Sequence, residues 1–224
     1  MKLKIAVLLS GCGVYDGAEI YESVLTLLRL DQLDVQVQCF APDQPQHHVI
    51  NHITGEEMAE QRNVLTEAAR ICRGAILPLT ELNAEDFDAL ILPGGFGVAK
   101  NFSDFAFRGA QVEVDTQVCT QVQAFHQAGK PLGLMCIAPA LTAKLLGQGV
   151  TCTIGQDAGV AGAISAMGGL HKSCAVDEVV VDAKHKLVTT PAYMLAERID
   201  QAAQGIFKLV DKVVELAKIE RQTV

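Results

Sequence analysis

The chain has 224 residues, half of them hydrophobic and a fifth charged, with a formal net charge of −8. That length and composition suit a globular α/β domain with a substantial core, and an acidic balance without any basic cluster argues against a nucleic-acid surface. Seven scattered cysteines, odd in number and with no C-x-x-C pair, fit neither a disulfide framework nor a zinc pattern and point to a reducing, cytoplasmic setting.

The opening "MKLKIAVLLSGCG" places lysines before an apolar run, as an export signal does. The run covers only residues 5–9, short of the roughly 7–15 an export segment needs, and reads as a first buried strand. Residues 19–30 read as an amphipathic helix, with Val24, Leu27 and Leu28 on one face. Residues 35–40 form a second strand. The polar stretch 41–61 follows as a loop or small excursion, in which Thr54 and Glu57 have capping-box spacing for a helix beginning near Gly55. Residues 63–73 read as a helix closed by Gly74.

A third strand at 87–92 runs into "PGGFG", and a helix at 112–127 ends at Gly129. A fourth strand at 131–135 leads into Cys136, with a helix at 138–146 behind it. A short β-branched run at 150–154, a pair of strands at 178–181 and 187–190, and a long amphipathic helix at 199–219 complete the chain. Strands alternating with helices imply parallel βαβ units in a doubly wound sheet with helices on both faces. The absence of linker, repeat and low-complexity tract makes 1–224 a single domain in this reading. No segment is long enough to span a membrane.

In an open parallel sheet, ligands sit at the carboxyl ends of the strands. Three segments fall there: "SGCGVYDGAE", "PGGFGVAKN" and "CIAPA". Cys136, at a strand-to-helix turn, faces the positive end of the following helix, which predicts a lowered thiol pKa. Pro139 fits the first helical turn, where its missing N–H costs nothing. Gly94 and Gly95 let the backbone turn sharply and offer N–H groups to a developing oxyanion. Glu22 lies early in the first helix on the same sheet edge, where a carboxyl beside sulfur would have its pKa raised; Glu19 is its rival. Taken alone, an inert core cysteine, a plain glycine turn and a solvated helix face fit these residues as well.

The stretches "GAEIYESVL", "DALILPGGFG" and "LMCIAPA" resemble the PfpI-type, class I glutamine-amidotransferase-like superfamily. "LSGCGVYDGAEI", "VINHITGE", "RNVLTEAARI", "PGGFGVAKN" and "VTTPAYMLA" extend the resemblance over nearly the full length, toward its isoprenoid-biosynthesis glyoxalase members. The resemblance implies a flavodoxin-like sandwich and a homodimer. It further implies conversion of glyoxal, or a similar small α-dicarbonyl, to glycolate without glutathione, metal or other cofactor. It places the nucleophile on Cys136, the supporting acid on Glu22 and the oxyanion hole on Gly95, with Gly94 beside it.

Two features depart from that pattern. The turn reads Cys136-Ile137-Ala138 where the superfamily usually has Cys-x-Gly. Where many members place a histidine, Thr153 stands, and "TTPAYMLAER" supplies none late in the chain, which speaks against amidotransfer. His126 is helical and remote, His171 and His185 read as loop residues, and His52 is at most a visitor from the polar stretch. Cys12, in "GCG", is a resolving partner for Cys136 only if their Cα atoms lie within about 7 Å. Without catalysis, the same thiol fits a redox sensor or a regulatory binding protein.

Overall fold

The structure, a computed structural model, describes residues 2–223. In chain order its elements are β1 (Lys4–Leu8), α1 (Ile20–Gln32), β2 (Gln36–Ala41), α2 (Val64–Ala68), β3 (Ile76–Pro78), β4 (Ala89–Leu92), α3 (Phe96–Lys100) and α4 (Phe105–Arg108). Then come α5 (Thr116–Gln127), β5 (Leu132–Met135), α6 (Thr142–Leu146), β6 (Thr151–Cys152), α7 (Ala158–Ala166), β7 (Leu170–His171), β8 (Val180–Asp182), β9 (Leu187–Thr190) and α8 (Ile199–Thr223).

Seven strands make one sheet in the order β3-β2-β1-β4-β5-β9-β8. All neighbours run parallel except the edge strand β8, which pairs antiparallel with β9. The central strands β4 and β5 are buried on both faces and carry no polar side chain, and β1 is apolar after Lys4. In β1, Ile5 and Val7 enter the core shared with α8, whereas Ala6 and Leu8 enter the core shared with α5. On α8, Ile206, Leu209, Val210 and Val213 are fully buried, a 3.6-residue stripe laid on the sheet. The Arg29 guanidinium grips Asp211 with two bonds, Nε to Oδ1 at 2.7 Å and Nη2 to Oδ2 at 2.8 Å, and so ties α1 to α8. This is the doubly wound sheet that the alternation of strand and helix implies, and the flavodoxin-like sandwich that the family resemblance implies.

Several boundaries differ from those expected. The capping-box helix near Gly55 does not form: Ile50 and Glu57 are bridged antiparallel, and the Thr54 hydroxyl accepts the Glu56 amide instead. The helix expected over 63–73 is only Val64–Ala68, capped by Asn63. The chain then tightens into turns that end with Arg73 and Gly74 in the left-handed region. The helix expected from 112 starts at Thr116, because the Asp115 carboxylate caps the amides of Gln117 and Val118. Behind Cys136, the first turn is a 3₁₀ segment, Ala138–Leu141, and α6 follows it. Five elements, β3, α3, α4, β7 and α7, have no visible signal in the sequence; α3 and α4 are helices of only five and four residues. Two of them are strands of two or three residues, and α7, "AGVAGAISA", is apolar all round and lacks a helical stripe.

Candidate active site

The order in which β2 lies on one side of β1 and β4 on the other puts a topological switch at β1 and β4, and the crevice opens at their carboxyl ends. Cys136 stands at the end of β5, next to β4. Its amide donates to the Thr190 carbonyl at 3.0 Å, so β9 holds it as if the strand continued. Its φ of 59° is left-handed, and the chain then enters the 3₁₀ turn carrying Pro139. A non-glycine residue there is strained by about 1–2 kcal/mol. That kink turns the side chain off the sheet, as in a nucleophile elbow.

Glu22 meets it from α1. Glu19 is the N-cap of that helix, its side chain accepting the Glu22 amide at 2.7 Å, so Glu19 frames the turn and Glu22 points inward. The Glu22 carboxyl is completely buried and lies beside the Cys136 thiol, both groups flanking Gly94. Its Oε2 accepts the Gly94 amide at 2.8 Å, and its Oε1 accepts the Tyr193 amide at 3.2 Å. Burial, and then the nearby Glu19, push the Glu22 pKa up to about 7, against the pull of those amides and of Cys136.

Two expectations are corrected here. The Gly94 N–H is taken by Glu22, so the amides that face the sulfur are those of Gly95 and Ile137. Gly94 has a steric role: a Cβ built on it would lie 2.5 Å from the cysteine Cβ and 2.9 Å from Glu22 Oε2. The thiol pKa is not lowered. Burial, and then the Glu22 carboxylate, raise it well above the usual range, and the two amides offset this only in part. The helix behind Cys136 opens with 3₁₀ geometry and gives only five α-helical residues, too little aligned dipole to prevail.

Gly95, at φ 97°, packs where a Cβ would fall 2.4 Å from the Glu19 amide and the Gly17 carbonyl. The Gly94 carbonyl accepts the Glu19 amide at 3.0 Å, so the glycine loop and the start of α1 are locked together. Cys136 is 7% exposed and opens onto a cavity of about 350 Å³. Sequence reasoning missed Tyr193, which lines that cavity and bonds Glu22 through its amide; its only signal was its place in "VTTPAYMLA".

The other candidates lie elsewhere. The Thr153 hydroxyl accepts the Gly155 amide at 2.9 Å and sits 3.4 Å from the Cys174 sulfur. His52 stacks on Tyr15 and accepts its amide at 3.2 Å, within the first loop. His171 lies in β7 rather than in a loop, accepting the Ile154 amide, and His185 is buried against Asp182 at 2.8 Å. Cys12 lies among Glu67, Arg70 and Asp16, and the seven cysteines are free thiols. Among the described residues, no group of three His, Cys, Asp or Glu side chains is arranged to hold a metal ion, and no helix is long and apolar enough to cross a membrane.

The profile of the DJ-1/PfpI family matches residues 5–196, a span that holds the thiol, the buried acid and the glycine turn. The chain belongs to the DJ-1/PfpI family. It is similar to the human protein named glutamine amidotransferase-like class 1 domain-containing protein 3, mitochondrial: 49% identical over 223 residues, covering 95% of this chain and 83% of the relative. Among solved structures, an isoprenoid biosynthesis protein with amidotransferase-like domain from Ehrlichia chaffeensis superposes with a TM-score of 0.90 at 38% identity, over 96% of this chain and 99% of that one. A glyoxalase III from Candida albicans, at 13% identity and a TM-score of 0.63 over 96% of this chain and 97% of its own, shares the family fold alone.

Proposed function

We propose that this chain is a cofactor-independent glyoxalase that converts glyoxal, or a similar small α-dicarbonyl, to a 2-hydroxy acid through Cys136. The observation that carries the reading is a fully buried carboxyl placed beside a thiol that opens onto a cavity, with the carboxyl pKa pushed up to about 7. An acid poised near neutral pH serves as both base and acid.

In this mechanism Glu22 accepts the thiol proton as sulfur adds to one aldehyde carbon, so no standing thiolate is required. The proton passes to the former carbonyl oxygen and gives a hemithioacetal. Negative charge on sulfur or oxygen meets the Gly95 and Ile137 amides. Glu22 then moves the hydrogen of the thioacetal carbon, as a proton, to the neighbouring carbon, while the thioacetal hydroxyl proton passes to the second carbonyl oxygen. The first carbon is oxidised to a thioester and the second reduced to an alcohol, with no outside oxidant. Water cleaves the thioester, releasing glycolate and restoring the thiol. Burial and nearby acidic groups raise the Tyr193 phenol pKa, which keeps it a neutral hydrogen-bond donor in the cavity.

The test is glycolate formation from glyoxal. Wild type should produce it, Cys136→Ala should not, and Glu22→Gln should lose about two orders of magnitude or more. Activity surviving in Cys136→Ala means another nucleophile. No activity in wild type, together with peroxide adding oxygen to Cys136, would make the protein a redox sensor; the raised thiol pKa and small exposure favour the enzyme.

We also propose a homodimer, supported by the exposed stripe Ile20, Tyr21, Val24 and Leu28 on α1. Sedimentation at micromolar concentration checks it, and a monomer overturns it. The proposed compartment is the cytoplasm, on the strength of seven free cysteines; cell fractionation decides. We also propose that residues 1–224 form a single domain, checked by whether thermal unfolding gives one cooperative transition.

A further inference from the structure

Resting on that reading, we infer that the Cys136 cavity is built for an uncharged 2-oxoaldehyde bearing a compact apolar group larger than methyl, in preference to bare glyoxal. Val14, Phe96, Phe105, Ile137, Val160 and Met194 supply the walls. Among the described residues, no Asp, Glu, Lys, Arg or His lines the cavity; beyond Cys136 its polar side chain is Tyr193. A phosphate or carboxylate on the substrate would enter without a counter-charge and lose its water.

Size points the same way. Glyoxal has the bulk of roughly three water molecules, each ~30 Å³, well under half of the cavity's 350 Å³ or so. It would leave apolar wall uncovered. Lys100, next in the chain to the lining residue Ala99, is already engaged: its Nζ donates to the Tyr15 carbonyl at 2.9 Å and sits 5.1 Å from the centre of the Phe96 ring. Helix α7 contributes to the same surface: its Val160 is half-buried against the core and also lines the cavity. A substrate with an apolar tail would cover that face.

Two measurements test this. In the first, kcat/KM is compared for isobutylglyoxal and glyoxal, each normalised to its reaction with a small free thiol. Isobutylglyoxal should be favoured by about tenfold or more, and Val160→Asp should cut that ratio by a similar factor. In the second, Cys136 is alkylated by iodoacetamide in the presence of 4-methylpentan-2-one or pyruvate. The ketone should protect at concentrations about tenfold lower than pyruvate. If no aldehyde is turned over but the ketone protects, the glyoxalase reading fails and the apolar-pocket inference stands. If glyoxal is processed as well as isobutylglyoxal, or pyruvate protects as well as the ketone, the inference is overturned.

Discussion

Gly94 lies so close to Cys136 that a methyl group in place of its hydrogen would sit 3.0 Å from the sulfur and 2.9 Å from Glu22 Oε2. The glycine is therefore the spacer that lets thiol and carboxyl meet. Gly94→Ala should push them apart, costing about 1–3 kcal/mol of stability through overpacking. Cys136 alkylation should change by more than the lost stability explains. Melting temperature and labelling rate, measured on one preparation, check this; an unchanged labelling rate would mean the contact is slack.

The Glu22–Cys136 pair should set the pH response. The reactive form has lost one proton, wherever the remaining one resides, so kcat/KM should rise with pH through about 7 and then level off. Glu22→Gln should remove that limb and leave labelling of Cys136 to climb only at the high pH demanded by a buried thiol. A wild-type profile flat over roughly three pH units spanning the Glu22 value speaks against the pairing.

Stability should carry the same signature. The Glu22 pKa rises from its ordinary 4.5 to about 7 on folding, so its protonated form is the one the fold prefers. Its contribution is fully present below pH 4.5 and is lost as pH rises through about 7. That loss amounts to something on the order of 3 kcal/mol. Unfolding by urea at several pH values, wild type against Glu22→Gln, isolates it: the difference between the two should grow over that window, and a constant difference would refute the assignment.

Asn101 should prove a structural support of the first loop. Its buried amide donates to the Ser10 and Asp16 carbonyls at 2.9 and 3.0 Å, and its Oδ1 accepts the His47 amide at 2.9 Å. Asn101→Ala strands those groups, at a cost of about 3 kcal/mol. Because the same loop carries Val14 to the cavity, hydrogen exchange of residues 10–18 should quicken as well. Unchanged exchange there would limit Asn101 to a purely local role.

The parallel sheet, its cysteine turn and its last helix were legible in the sequence because each rests on a local pattern. Runs such as "IAVLL" and "ALIL" must be buried on both faces, and a left-handed cysteine before Pro139 lies where a strand meets a helical turn. Glu22 was harder to separate from Glu19, since both carboxyls belong to the same turn. Only the N-cap bond at Glu19 shows which one is left to point inward. The division of the glycine-loop amides, Gly94 to the acid and Gly95 with Ile137 to the sulfur, depends on where α1 packs, and so does the height of the thiol pKa. The sequence by itself determined which residues reach the carboxyl edge of the sheet, since strand and turn propensities act over a few neighbours. Only the tertiary structure decided which of them touch and how dry they are, because contact and desolvation depend on segments more than 70 residues apart, as with Glu22 and Gly94.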